Sequence, residues 1–164
     1  MIKLSDDINY EINLGTLQFH GFSQYFSSLA GEINMKNDIQ PPQGAREIFI
    51  GCGEINSDVL KMGAVGTPAE LFDQREYPWD TETNAKAVRN YYAYYAKFDG
   101  RPYESIGFSK QQTIKLSSVD DYDKYDESKL SGYTVNYQNL YRCGSVKTSP
   151  VDFSTTFKIV FYYR

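Results

Sequence analysis

Histidine, tryptophan and cysteine are nearly absent from this chain of 164 residues, which holds one His, one Trp and two Cys. So few soft ligands argue against a structural zinc site. Cys52 and Cys143 share no CxxC context, so they read as two buried free thiols in a reducing compartment, with a disulfide as the alternative. Adjacent Lys or Arg residues are also lacking, and the 17 basic residues are outnumbered by 21 acidic ones, for a net charge of -4. No basic strip therefore marks a nucleic-acid footprint. Arg89, Lys97 and Arg101 interleave with tyrosines, but in an acidic chain they read as a solvated strand face. No hydrophobic run approaches transmembrane length. Met1-Ile2-Lys3-Leu4 is followed at once by Ser5, Asp6 and Asp7, without the apolar stretch of a secretory leader. The expectation is cytoplasmic synthesis without a signal peptide and no membrane insertion. Leucine and alanine are comparatively scarce, which moves the expectation from helical bundles towards β-structure.

What the chain has in excess is tyrosine. Of its 15 tyrosines, 12 lie after residue 90, many in pairs or alternations: Tyr91-Tyr92, Tyr94-Tyr95, Tyr133, Tyr137, Tyr141 and Tyr162-Tyr163. Tyrosine suits a pleated, half-buried surface, and its hydroxyl must be wet or hydrogen-bonded. Strict alternation is longest over Phe153, Thr155, Phe157, Ile159, Phe161 and Tyr163, which predicts a final strand that belongs to a sheet. Tyr133, Val135 and Tyr137 predict another, and Thr113 to Leu116 a short one. Asp99-Gly100 between aromatic runs predicts a hairpin. Residues 83–98 read as a strand from Val88 to Phe98, with a helix capped by Thr83 as the alternative.

Earlier segments are less regular. Ile8 to Phe19 reads as a strand interrupted by Gly15. Phe22, Tyr25, Phe26 and Leu29 step by three, one and three, which predicts a short amphipathic helix over 21–30. Pro41-Pro42 marks a loop. It separates a candidate N-terminal arm or helix, residues 1–40, from a Tyr-rich β domain over 45–164, within what is expected to be one domain. Ile48 to Ile50 predicts a strand ended by Gly51 and Gly53, with Glu54 to Met62 as its weak partner. Glu70-Leu71-Phe72 reads as a single turn, and Tyr77 to Asp80 as a turn carrying the only tryptophan. The expected fold is mainly β, an antiparallel sandwich or partly open barrel with one short N-terminal helix; the alternative is α+β with residues 83–98 helical.

Chemistry-bearing constellations are sparse. His20 could serve as a general base for Cys52, but no nucleophile motif accompanies either, and a packed histidine and a small buried thiol are the plainer readings. Asp120 to Glu127 offers oxygen ligands in one stretch, but without the EF-hand order or glycine; it reads as a solvated loop. Gly63 to Pro68 has neither the spacing nor the lysine of a P-loop. No catalytic residue, metal ligand or cofactor is assigned. Tyr77, Trp79, Tyr91, Tyr92, Tyr94, Tyr95, Tyr162 and Tyr163 are the candidate binding residues, because aromatic rings of this type are enriched at binding hot spots. The expected role is a non-enzymatic structural or adaptor protein, a homo- or hetero-oligomer contacting protein subunits. A carbohydrate-binding sandwich that takes a glycan on Trp79, and a cysteine-dependent hydrolase, are the alternatives. The combination resembles in style the small virion proteins of tailed bacteriophages, such as decoration, tail-tip or fibre-attachment subunits.

Overall fold

Ile48-Phe49-Ile50 places bulky apolar side chains alternately on two faces of a strand, so its sheet must be covered on both sides. That requirement organises the fold. The computed structural model describes residues 4–29, 38–78, 81–102, 104–114, 130–135, 141–144, 146–148 and 157–164. In chain order these hold β1 (Asn9–Asn13), α1 (Leu14–Phe19), β2 (Ser23–Leu29), β3 (Ile48–Glu54), β4 (Val59–Gly66), α2 (Pro68–Leu71), β5 (Gln74–Tyr77) and β6 (Thr83–Asn84). There follow β7 (Lys86–Ala87), β8 (Tyr92–Phe98), β9 (Glu104–Ser109), β10 (Thr113–Ile114), β11 (Leu130–Val135), β12 (Tyr141–Cys143), β13 (Val146–Thr148) and β14 (Phe157–Tyr163).

The architecture is mainly β, with antiparallel sheets packed against each other as in a sandwich. A five-stranded antiparallel sheet runs β1-β4-β3-β14-β2. A second sheet runs β13-β12-β11-β9-β8-β5, with β7 also on β8. In it β5 pairs in parallel with Tyr95 to Phe98 and β7 antiparallel with Tyr92 and Ala93, so the two short strands share one flank of β8. A separate pair joins β6 and β10. Residues 9–29 are woven into the five-stranded sheet, β1 against β4 and β2 against β14. The final strand, β14, is interior, flanked by β2 and β3.

Two cores result. The inner core lies between the sheets and contains Ile48, Ile50, Cys52, Met62, Ile159 and Phe161 from one side and Ala93, Tyr95, Ile106 and Phe108 from the other. The outer core holds Phe49, Val65, Val160 and Tyr162 of the five-stranded sheet, with Leu17 of α1 and Phe22. Phe49 lies across a cross-strand glycine pair, Gly51 of β3 and Gly63 of β4, which stand opposite each other in register. A Cβ at either would collide with its ring. Gly51 and Gly53, expected from the sequence to end this strand, lie within it; β3 continues to Glu54, with Gly51 making room for the ring.

The short N-terminal helix is displaced from its expected position. Asn13 caps α1, its Oδ1 accepting from the Gly15 amide at 2.8 Å, and residues 23–29 form a strand. The physical reason is a bulge in β2. Register jumps from Phe161↔Phe26 to Tyr162↔Gln24, leaving Tyr25 as the extra residue. Tyr25 and Phe26 consequently both reach the inner core, stacking on Phe161 with centroids 6.0 and 5.9 Å away. Two consecutive inward aromatics imitate the step of one in a helix pattern.

Edge strand β1 has the complementary irregularity. Ile8 belongs to the inner core and Ile12 to the outer, although residues four apart on a regular strand share a face. Glu11 adopts φ 52°, a left-handed conformation costly for any residue with a Cβ, and it turns the strand over between them. The paired strand follows, with Met62 inner and Leu60 outer.

The expectation of free thiols is corrected. Cys52 and Cys143 form a disulfide with Cα atoms 5.9 Å apart, because sheet packing brings β3 and β12 together across the inner core. Linking residues 91 positions apart stabilises by about 4–5 kcal/mol in the chain-entropy model.

Candidate functional site

The tyrosine hydroxyls show how so many rings can be internal. Tyr91 Oη donates to the Val65 carbonyl at 2.6 Å, tying β4 to the segment before β8. Tyr25 Oη donates to the Ile39 carbonyl at 2.7 Å, Gln40 Nε2 donates to Tyr95 Oη at 3.0 Å, and Tyr162 Oη donates to Gln24 Oε1 at 3.2 Å. Each partner removes the penalty of a stranded polar group. Burial pushes the phenol pKa of Tyr25, Tyr91, Tyr77, Tyr95 and Tyr162 upward.

The sequence-derived binding residues are accordingly dispersed. Tyr77, Tyr91, Tyr94, Tyr95 and Tyr162 are buried, whereas Tyr92 and Tyr163 are half-buried. Trp79 and the Asp120–Glu127 stretch lie outside the described residues. Cys52 is buried in the inner core, whereas His20 caps the C-terminal end of α1 on the opposite face of the sheet. The Cys52 sulfur is bonded to Cys143 and the His20 ring packs edge-on against Phe19. Among the described residues no cluster of three or more His, Cys, Asp or Glu side chains is placed to hold a metal ion. Nor is any helix among them long and apolar enough to cross a membrane.

Two surface features remain, and residue patterns signalled neither. The first is a cleft of about 540 Å³ lined by Leu4, Ser5, Asp6, Glu47, Val65, Arg89 and Arg164. Glu47 Oε1 accepts from Arg164 Nε and Nη2 at 2.8 and 2.6 Å. Arg89 reaches Asp6 at 3.1 Å, Glu70 at 3.3 Å and Glu47 at 3.7 Å. Thr67 and Glu70 form a capping box that orients the Glu70 carboxylate. The Arg164 guanidinium also lies over the Phe22 ring at 4.6 Å and donates to the His20 carbonyl. Two guanidiniums thus face three carboxylates drawn from positions 6, 47 and 70. That near-balance suits a fastening between elements better than an anion trap. Lys110 extends it, contacting Asp7 at 2.7 Å and the Asn90 carbonyl, so the segment before β1 is strapped to the open end of the β8–β9 hairpin, where Tyr92 pairs with Ser109.

The second feature is the β1–α1 unit. Tyr10 is 51% and Phe19 68% exposed, the two large hydrophobics among the described residues that face solvent to this extent. Nothing in local sequence distinguishes them from the buried aromatics; only the turn at Glu11 and the end of α1 decide their exposure.

The two sheets, their staple and this outer unit define a disulfide-linked, mainly β sandwich. No protein-family model, curated protein or solved structure matches the chain.

Proposed function

We propose that this protein is a non-enzymatic structural or adaptor subunit, binding protein partners in a larger assembly such as a virion. The supporting observation is the pair of exposed rings, Tyr10 and Phe19, on the single β1–α1 unit. Aromatic rings are enriched among the residues that form protein interfaces. The edges of the five-stranded sheet favour side-chain contact over strand addition. On one edge Glu11 breaks the regular backbone; on the other the Tyr25 bulge does so. Both devices blunt edge-to-edge pairing. A doubly covered, cross-linked sheet also supplies the rigidity that a scaffold subunit needs.

Light scattering after size exclusion tests the self-assembling form of this reading. The molar mass should rise with concentration, and Tyr10→Ser/Phe19→Ser should return it to that of a monomer without lowering the melting temperature. A wild-type chain that stays monomeric, and whose genomic neighbours are metabolic genes, would sink the proposal.

A further inference from the structure

Residues 4–13 form an arm with its own set of anchors. Its strand, β1, lies at a sheet edge and pairs with β4 alone, from Asn9↔Gly63 to Asn13↔Val59. Ile8 fills a place in the inner core and Ile12 one in the outer core. Ahead of them, Arg89 holds the Asp6 carboxylate at 3.1 Å and the Asn90 amide donates to the Asp6 carbonyl at 3.0 Å. Lys110 Nζ donates to both Asp7 carboxylate oxygens, at 2.7 and 2.8 Å. Cations, a backbone donor and an apolar site thus meet the successive residues Asp6, Asp7 and Ile8, as a receptor meets a peptide. The seat is built for this sequence.

The seat does not depend on the arm for its outline. β4 has its own ladder with β3, and the open end of the β8–β9 hairpin carries Arg89, Asn90 and Lys110. Release of the arm lets Glu11 leave its left-handed backbone at φ 52°. Exposure of Ile8 and Ile12 opposes release, so a vacated seat must be refilled. A second copy brings the same residues and therefore every one of these contacts. The connection favours that route. Asn13 is both the last residue of β1 and the cap of α1, with no loop between them. Its backbone is already extended, at φ -72° and ψ 135°, so the arm can run outward from α1 through an ordinary conformation. A connection this short invites exchange between copies.

We propose that residues 4–13 exchange reciprocally between two copies of this chain, the arm of each seating against β4, Arg89 and Lys110 of the other. The exchanged arm keeps its register, so β4 stays covered and the joint is two-fold symmetric. This inference rests on the assembly role proposed above and names its partner, a second copy, and its joint, the arm.

Zero-length cross-linking tests it, because a carbodiimide joins a carboxylate to an amine only where the two touch, as Asp7 and Lys110 do. Unlabelled and heavy-isotope chains are unfolded together in urea with the disulfide intact, refolded at several concentrations and cross-linked. Links from Asp7 of one isotope to Lys110 of the other should appear, and their share should rise with concentration by mass action. Inserting Gly-Gly-Gly after Asn13 should lower that share about fivefold or more, since a longer connection lets the arm close on its own chain. Chains bearing Asp7→Lys or Lys110→Glu, each mismatched alone, should form a heterodimer on mixing, because exchange matches both seats at once. Links confined to one isotope at every concentration, or no heterodimer, would overturn arm exchange. The assembly role would outlive that result if light scattering still showed association that Tyr10→Ser/Phe19→Ser abolishes.

Discussion

The inner and outer cores share one sheet but differ in what closes them. The inner core is closed by a second sheet, a disulfide and the Tyr91–Val65 hydrogen bond. The outer core is closed by a six-residue helix, Phe22 and the Arg164 guanidinium. A helix that short has no independent stability, so α1 is held by burying Leu17 and by the Asn13 cap. The difference teaches why aromatic residues occur in adjacent pairs along β14. Tyr162 serves the outer core and Tyr163 packs against the inner one. A strand covered on both faces has no solvent side on which to alternate to polar residues.

The harshest way to break this comparison is to delete residues 157–164, which removes an interior strand contributing to both cores. Circular dichroism and thermal melts should show no cooperative fold; a soluble, two-state product would mean that neither core depends on β14. Milder truncations sharpen the contrast. Phe161→Ala, in the inner core, should cost ~3–5 kcal/mol and Leu17→Ala, under α1, ~2–4 kcal/mol in urea unfolding. The inner substitution should be the costlier, because the helix can settle over a cavity more easily than two sheets can. A larger loss at Leu17 would reverse the ranking.

Alkaline pH probes both cores with a smaller force. Burial raises the phenol pKa of Tyr91 and Tyr25, at the inner core, and of Tyr162 in the outer one. Above the unfolded value of about 10 the unfolded chain releases these protons while the folded chain retains them, so stability is fully present below that pH and falls above it. Each such tyrosine contributes a slope of ~1.4 kcal/mol per pH unit. Tyrosinate absorbance should therefore rise together with unfolding; ionisation of all tyrosines in a still-folded protein would contradict their burial. The smallest expected effect is a gain. Glu11→Gly relieves the left-handed backbone at φ 52° and should stabilise by ~1 kcal/mol, read as a higher melting temperature. A loss would mean that the Glu11 side chain contributes more than its backbone costs.

Much of the fold was legible because period-two alternation survives wherever strands are regular. The hairpin at Asp99-Gly100 appears as read, with β8 and β9 antiparallel from Tyr92↔Ser109 to Lys97↔Glu104 and Gly100 at φ 67°. The strand read from Val88 to Phe98 is present over the helical alternative but begins only at Tyr92. Legibility failed at the irregularities. The Tyr25 bulge made a strand look helical, and Gly51 and Gly53 looked like terminators although both lie inside β3, Gly51 beneath the Phe49 ring. The candidate sites were less readable still. Asp6, Glu47, Glu70, Arg89 and Arg164 are scattered along the chain, and no local spacing connects them. Exposure of Phe19 and burial of Tyr91 depend on which neighbours close over each ring.

Sequence alone determined that this chain is mainly β and rich in tyrosine, because alternation and side-chain shape are local properties. Tertiary structure decided which tyrosines are core, since a hydroxyl can be buried only where a distant carbonyl or amide meets it. It also decided the pairing of Cys52 with Cys143. Two thiols 91 residues apart are independent until two sheets pack and hold them a bond length from each other.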